Sequence, residues 1–337
     1  MTHNSTIPRV LIIKLSSLGD LFHALPAVSR IKAAWNADID WLTQPEYTDL
    51  VRCFDDVNRV YSFPRRNFAR DIIAGSRELR KNAYDYILDM QGLFKSALAG
   101  RIAVGRRRIG PSFHREFSRL LYNEIAGAQN RNRHAVDEIL DTVRHLGINP
   151  GPVEFNVSFP STPEKTSRPR VAMITRSRWA TKNWPAERFI ETGNALIHGL
   201  QATIYLIGSG DDREFCGVIQ SGLGGNCRNL CGCTSLVELG GVIAQMDLVI
   251  SVDSGPMHMA AAAGVPVVAV FGSTDPIRTG PYTSKSRVIT HDDMPCRPCR
   301  SRTCLRPEKD IACMNTLPAA RVIDSALEIL SNPERHV

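Results

Sequence analysis

The stretch Val10-Leu-Ile-Ile-Lys14-Leu-Ser16-Ser17-Leu18-Gly19-Asp20 decides how this chain folds, and Asp247-Leu-Val-Ile-Ser-Val-Asp253-Ser254-Gly255-Pro256-Met257-His258 repeats its logic near the other end. Each opens with a short apolar run, the mark of a strand buried on both faces of a parallel sheet. Each then breaks into small and acidic residues and passes into a helical pattern. In α/β proteins, ligands bind where parallel strands end in such turns. Two of them, far apart in sequence, predict two Rossmann-like halves with a cleft between them, and so an enzyme that joins two substrates.

Working outward from the first turn, the pattern predicts strands over residues 10–15, 38–42, 57–62 and 86–90. Helices are expected over 21–34, with Pro26 in the early turns, and over 72–81 and 134–146. The last carries an apolar stripe of Val136, Ile139, Leu140, Val143 and Leu146, ended by Gly147. A Pro-, Ser- and Thr-rich segment at 161–169 reads as a linker. The alternation then restarts with strands over 171–175, 203–207, 248–252 and 267–271 and helices over 186–196, 214–222, 236–245 and 257–263. A chain of 337 residues exceeds the usual single domain, which favours two domains of about 150 residues each. The division is expected at residues 1–160 and 161–337, both α/β with parallel sheets.

Hydrophobic residues make up 43% of the chain, but no apolar run approaches the roughly 18 residues of a membrane span. Met1 to Pro8 is polar and lacks the charged-then-apolar order of a secretion signal, so a cytoplasmic protein is expected. The net charge is +7, from 41 basic and 34 acidic residues. That excess favours an anionic partner, with ordinary solubility as the alternative. The basic residues are clustered: Arg65-Arg66 with Arg70, Arg106-Arg107-Arg108, and Arg297, Arg300, Arg302 and Arg306. No nucleic-acid-binding signature accompanies them. A phosphorylated substrate or an anionic membrane surface fits better.

Gly19 suits a sharp turn that brings backbone close to a ligand, with Ser16, Ser17 and Asp20 beside it. Asp20 is then either a general base for an attacking hydroxyl or a cap for the following helix. In the second half, Asp253-Ser254-Gly255 precedes a helix whose N-terminus suits a pyrophosphate. Ser254 adds a hydroxyl, and His258 is either within reach of the ligand or simply packed. The turn from Gly272 to Pro276 lines the same pocket in this reading. Lys182, in Lys182-Asn183-Trp184-Pro185, either neutralises charge on a departing phosphate or is a solvated lysine. Gly208-Ser209-Gly210-Asp211-Asp212 lacks the third glycine of the dinucleotide fingerprint.

In combination these motifs resemble glycosyltransferase family 9, the heptosyltransferases of lipopolysaccharide core assembly. Lys14-x-Ser16-Ser17-x-Gly19-Asp20 with His23-x-Leu25-Pro26 is similar to the family's opening. Asp89-x-Gln91-Gly92-Leu93-x-Lys95-Ser96 resembles a segment typical of heptosyltransferase I. Arg115-Glu116, Tyr122-Asn123, His134-Ala135-Val136, Lys182-x-Trp184-Pro185 and Asp253-Ser254-Gly255-x-x-His258 continue the match in order. Two stretches depart from it, Arg178-Trp179-Ala180-Thr181 and the run from Ile109 to His114.

The resemblance implies a GT-B fold of two facing Rossmann-like domains, an inverting mechanism and no catalytic metal. It implies ADP-L-glycero-D-manno-heptose as donor in the C-terminal domain and a Kdo-bearing lipid A as acceptor in the N-terminal one, met at the cytoplasmic face of the inner membrane. Asp20 becomes the base and Lys182 the leaving-group stabiliser. Thr181, Asp212, Asp253, Ser254, Gly255 and His258 become donor contacts. Ser16, Ser17, Gly19, Arg65, Arg66, Gln91, Lys95 and Arg106 become acceptor contacts. The alternatives are a family 9 transferase for another sugar or acceptor, or a non-catalytic sugar-nucleotide-binding protein.

Cys296-x-x-Cys299, Cys304 and Cys313 supply four thiols, the number that structural zinc takes. A metal there would pin the region after Tyr282 rather than do chemistry. The other reading is four reduced cysteines packing a loop-rich segment.

Overall fold

The computed structural model describes residues 7–63, 77–161 and 167–331. The chain divides into two compact units, Met1–Ser158 and Phe159–Val337. Each is built on one six-stranded sheet. The sequence-derived linker at 161–169 includes residues 162–166, which lie outside the described residues, as do 72–76 of the helix expected over 72–81.

In the first unit the strands are β1 (Arg9–Ile13), β2 (Asp38–Thr43), β3 (Arg59–Ser62), β4 (Ala83–Asp89), β5 (Val104–Pro111) and β6 (Glu124–Ala126). The long helices are α1 (Leu18–Trp35), α2 (Phe94–Ile102) and α3 (Ala135–His145). All neighbouring strands are parallel, in the order β3-β2-β1-β4-β5-β6. Val10 to Ile13 are fully buried, as an unbroken apolar run in a covered sheet should be.

The second unit contains β7 (Arg170–Ile174), α4 (Ala186–Leu200), β8 (Thr203–Ile207), α5 (Arg213–Leu223), β9 (Cys227–Asn229), α6 (Leu236–Ile243), β10 (Leu248–Val252), α7 (Gly255–Ala262), β11 (Val267–Phe271), β12 (Ser286–Thr290) and α8 (Ala319–Ser331). Its sheet runs β12-β11-β10-β7-β8-β9. Counted from the start of each unit, both sheets have the strand order 3-2-1-4-5-6 of the Rossmann fold. Each therefore has a switch point between its first and fourth strands, β1/β4 and β7/β10, where successive connections leave in opposite directions.

The core explains one motif directly. Trp184 is buried, donates its indole N–H to Leu317 O at 3.1 Å and meets Phe189 edge-on. Pro185 is the N-cap of α4. Tryptophan and proline thus anchor the loop that presents Lys182; truncating a buried Trp costs about 3–5 kcal/mol.

β5 and α8 are two elements that fall outside the sequence-derived expectations. β5 contains Arg106-Arg107-Arg108, which looks like a basic cluster and is in fact a strand. Arg107 forms a two-pronged pair with Glu124 at 2.7 and 2.6 Å and stacks on Tyr86. Arg108 donates to Gly100 O and Ala103 O, both at 3.1 Å. Tertiary partners, not apolarity, hold this strand in place. The stripe of α8, Val322, Ala326 and Ile329, buries against the second core.

Candidate active site

The chain leaves β1 at the first switch point, where Ile13 pairs with Asp89 of β4. Ser17 caps α1, and Asp20 is the helix's third residue rather than part of the loop. Asp20 Oδ2 accepts the Ser17 N–H at 2.9 Å and the Ser17 hydroxyl at 2.8 Å. One oxygen thus fills the capping role that the sequence offered as an alternative. The other, Oδ1, lies 3.8 Å from His23 Nδ1, and the side chain keeps 43% exposure. Cap and reachable carboxylate coexist in one residue.

The neighbouring lysine sets the charge of Asp20. Lys14 is buried and donates from Nζ to Met90 O at 2.8 Å. Burial lowers the pKa of this ammonium, while Asp20 and Asp89 pull it back up. For Asp20, desolvation opposes ionisation. The Lys14 charge, His23 and the Ser17 N–H outweigh it and hold the carboxyl well below the usual carboxylate range.

Behind the turn, Gln91 Oε1 accepts the N–H groups of Leu15 and Ser16, each at 3.0 Å. Its amide oxygen is therefore bound to the turn's own backbone. Asp89, which the sequence places in a motif without a role of its own, is the buried hub. It accepts the Gln91 N–H at 2.8 Å, the Gly92 N–H at 3.0 Å and the Tyr122 hydroxyl at 2.7 Å. Burial pushes its carboxyl up, and burial beside Asp89 also raises the Tyr122 phenol. The glycine that the turn needs is Gly92, at φ +74°, where an added Cβ would meet Pro111 at 3.0 Å. Gly19 instead lies within the first turn of α1, which corrects its expected role as the sharp-turn residue.

At the second switch point Lys182 Nζ lies 2.7 Å from Asp253 Oδ2, with side-chain exposures of 15% and 6%. It also stands over the Trp179 ring at 4.6 Å. Thr274, from the turn after β11, donates to the same Asp253 oxygen at 2.6 Å. Two residues with separate expected roles are thus one ion pair. Ser254 is the N-cap of α7, but its hydroxyl makes no cap hydrogen bond and lies 3.3 Å from Ser251 Oγ. Pro256 removes one first-turn N–H. Those of Gly255 and Met257 have no partner within the helix, the arrangement that receives an anion. His258 is buried on the same helix.

Asp212 stands one strand away, after β8. It accepts the Ser209 N–H at 2.8 Å and hydroxyl at 2.7 Å, and Arg176 Nε lies 3.9 Å from its other oxygen. Thr181 is buried with its hydroxyl committed, donating to Ser301 O at 2.7 Å and accepting from Ser273 at 2.9 Å. It braces two loops through that hydroxyl.

Arg106, expected as an acceptor contact, lies in the first half of β5. Its neighbours Gly105 and Arg107 pair with Tyr84 and Tyr86, several residues before the Asp89 end of β4. At about 3.3 Å per residue that sets it more than about 10 Å from the turn. Lys95 lies in the first turn of α2, next to the Gln91–Gly92 turn. Arg65 and Arg66 lie outside the described residues.

The four cysteines 296, 299, 304 and 313 line one cavity together with Arg297, Thr181 and Ser273. Among the described residues no group of three or more His, Cys, Asp or Glu is placed to hold a metal ion. Arg297 stands among the thiols, bonded to Gly272 O at 2.8 Å and His291 O at 3.0 Å, and burial pushes the Cys313 thiol up to about 11. The segment is also tied to its surroundings: the Arg300 N–H bonds Ser273 O at 2.7 Å, and Arg302 stacks on Trp179.

Two Rossmann-ordered units, each with a polar switch point, form the architecture of the GT-B glycosyltransferases. The model of the family described as glycosyltransferase family 9 (heptosyltransferase) matches residues 72–309. The chain is 27% identical over 317 residues to lipopolysaccharide heptosyltransferase 1 of Pseudomonas aeruginosa, covering 88% of this chain and 87% of that one. It resembles the Escherichia coli heptosyltransferase WaaC, solved with ADP, at 25% identity and a TM-score of 0.77 over 95% of this chain and 99% of that one. A family 9 glycosyltransferase from Veillonella parvula shares the fold, with a TM-score of 0.82 at 17% identity over 96% of this chain and 97% of that one. This chain belongs to glycosyltransferase family 9, the heptosyltransferases. It is a glycosyltransferase, and its relatives include a lipopolysaccharide core heptosyltransferase of Haemophilus influenzae, 23% identical over 83% of each chain. No described helix is long and apolar enough to cross a membrane.

Proposed function

We propose that the chain transfers L-glycero-D-manno-heptose from ADP-heptose to the Kdo of a lipid A-linked acceptor, by a single displacement that inverts the anomeric centre without a catalytic metal. The observation that carries this reading is the division of charge between the two switch points. One presents a carboxylate held ionised by a buried lysine, and the other a reachable ammonium beside an uncapped helix N-terminus.

The acceptor hydroxyl oxygen attacks the anomeric carbon, its proton passes to Asp20, and the bond from that carbon to the diphosphate oxygen breaks. Asp20 has Oδ1 available for that proton, because the cap uses only Oδ2. The charge that builds on ADP falls on Lys182 and the N–H groups of Gly255 and Met257. For this, Lys182 must turn from Asp253 toward the phosphate, leaving Asp253 its bond from Thr274. These groups meet the electrostatic demand that a divalent cation meets in metal-dependent transferases. The WaaC structure with ADP and the P. aeruginosa heptosyltransferase 1 support the donor and the reaction class.

The test is transfer by the purified chain from ADP-heptose, UDP-sugars and GDP-sugars to Kdo-lipid A, read by mass spectrometry, with the product anomer assigned by NMR. The expected result is a heptose-sized mass gain from ADP-heptose alone, with inversion. Transfer from another donor, or retention, would overturn the reading.

A further inference from the structure

The connection from β5 to β6 carries a feature that the transfer chemistry does not use. Arg115-Glu116-Phe117-Ser118-Arg119-Leu120 exposes two large apolar side chains, Phe117 at 84% and Leu120 at 81%. Phe94, at the start of α2, is 46% exposed, and its N–H reaches Glu116 Oε2 at 3.2 Å. The three side chains therefore share one neighbourhood.

The loop is firmly built. The Arg115 N–H and the Ser118 hydroxyl both bond Gly92 O, at 2.8 and 3.1 Å, and Ser118 is fully buried. The Ser118 N–H bonds Arg115 O and the Leu120 N–H bonds Phe117 O. Glu116 and Phe117 hold left-handed backbone, at φ 56° and 59°, a conformation kept only where the surroundings over-determine it. Phe117 is thus held out in solvent by a defined scaffold, and that scaffold rests on the Gln91–Gly92 turn that holds the Asp20 loop.

Arg115 and Arg119 flank the apolar tip and are exposed, and Lys95 follows Phe94. Glu116, the carboxylate within the loop, is engaged at the start of α2. The three apolar side chains offer on the order of 400 Å², about half of the roughly 800 Å² per partner of a standard protein interface. A bilayer makes a smaller demand: a few apolar side chains entering the acyl boundary, ringed by arginines that meet lipid phosphates.

We propose that this loop is a shallow insertion element for an anionic bilayer, with Phe117, Leu120 and Phe94 entering the lipid and Arg115, Arg119 and Lys95 contacting headgroup phosphates. It deepens the reading of a lipid-borne acceptor and rests on it for its purpose, but vesicle binding is measured without acceptor.

The test is flotation of the full chain with vesicles of phosphatidylethanolamine and phosphatidylglycerol, and with vesicles of phosphatidylcholine alone. The wild type should float with the anionic vesicles only and release as salt rises. Phe117→Ser with Leu120→Ser should weaken binding at least about tenfold, and Arg115→Gln and Arg119→Gln about fivefold each. On Kdo oligosaccharide freed of lipid, the apolar double variant should turn over like the wild type, while losing rate on vesicle-embedded acceptor. Equal flotation of wild type and double variant, or no flotation of the wild type, would overturn the proposal. So would a loss of self-association in the double variant by sedimentation, which would make the patch a contact between copies. If wild type floats but transfers to neither acceptor, the reaction assignment fails and the insertion element stands.

Discussion

The two switch points share a topology and differ in what they do with a lysine. At β1/β4, Lys14 is buried at 4% exposure, bonded to a backbone carbonyl and flanked by Asp20 and Asp89. Its charge helps to keep Asp20 ionised. At β7/β10, Lys182 follows the corresponding strand, keeps 15% exposure and holds a carboxylate at the end of the neighbouring strand. In the proposed reaction it exchanges that carboxylate for a phosphate. Lysines near the two strand ends thus differ: Lys14 is buried and sets the charge of Asp20, whereas Lys182 pairs with Asp253 and keeps part of its exposure. The Ser-x-x-Asp cap recurs too, at Ser17–Asp20 and Ser209–Asp212. Only the first has a buried lysine behind it.

The contrast is broken most severely at Lys182. Lys182→Ala should lower kcat by about 10²- to 10³-fold and weaken ADP binding, measured by steady-state kinetics and calorimetry. Loss of binding with kcat intact would make the lysine a ground-state contact only.

Lys14→Met should act through pH instead. A base must be ionised to take a proton, and Asp20 is held below the usual carboxylate range, so the wild type should show no acid limb from it above about pH 4. Without the ammonium the Asp20 carboxyl rises and an acid limb moves into view. The ratio of rates at pH 4 and pH 7 should then fall by about tenfold or more. An unchanged profile would separate Lys14 from the base.

Gln91→Leu strips the support from the Leu15 and Ser16 N–H groups. It should cost about 1–3 kcal/mol in thermal or urea unfolding and roughly tenfold in kcat, with ADP binding unchanged. The smallest effect is expected at Arg106→Gln, which should leave kcat and KM within about twofold of wild type because the residue sits at the far end of β5.

Both Rossmann units are legible in the amino-acid sequence, because a buried parallel strand needs an uninterrupted apolar run and α1, α3, α4 and α7 announce themselves by period and caps. Asp20, Lys182 and Asp253 stand out because they sit in turns where a buried apolar strand run gives way to polar residues. Tertiary arithmetic is hidden. β5 has a polar sequence, and only Glu124, Tyr86 and two carbonyls make its arginines a strand. The Lys182–Asp253 pair joins residues 71 positions apart in sequence. The commitment of Thr181 depends on Ser273 and Ser301. The stripe of α8, by contrast, is an ordinary helical signal that the sequence does carry.

The most direct measurement is single-turnover transfer by Asp20→Asn, with ADP affinity determined on the same preparation. The variant keeps an oxygen to accept the Ser17 cap bonds but cannot hold the acceptor's proton. The account predicts a loss of about 10²- to 10⁴-fold in the chemical step with ADP affinity unchanged. Turnover at the wild-type rate would contradict it.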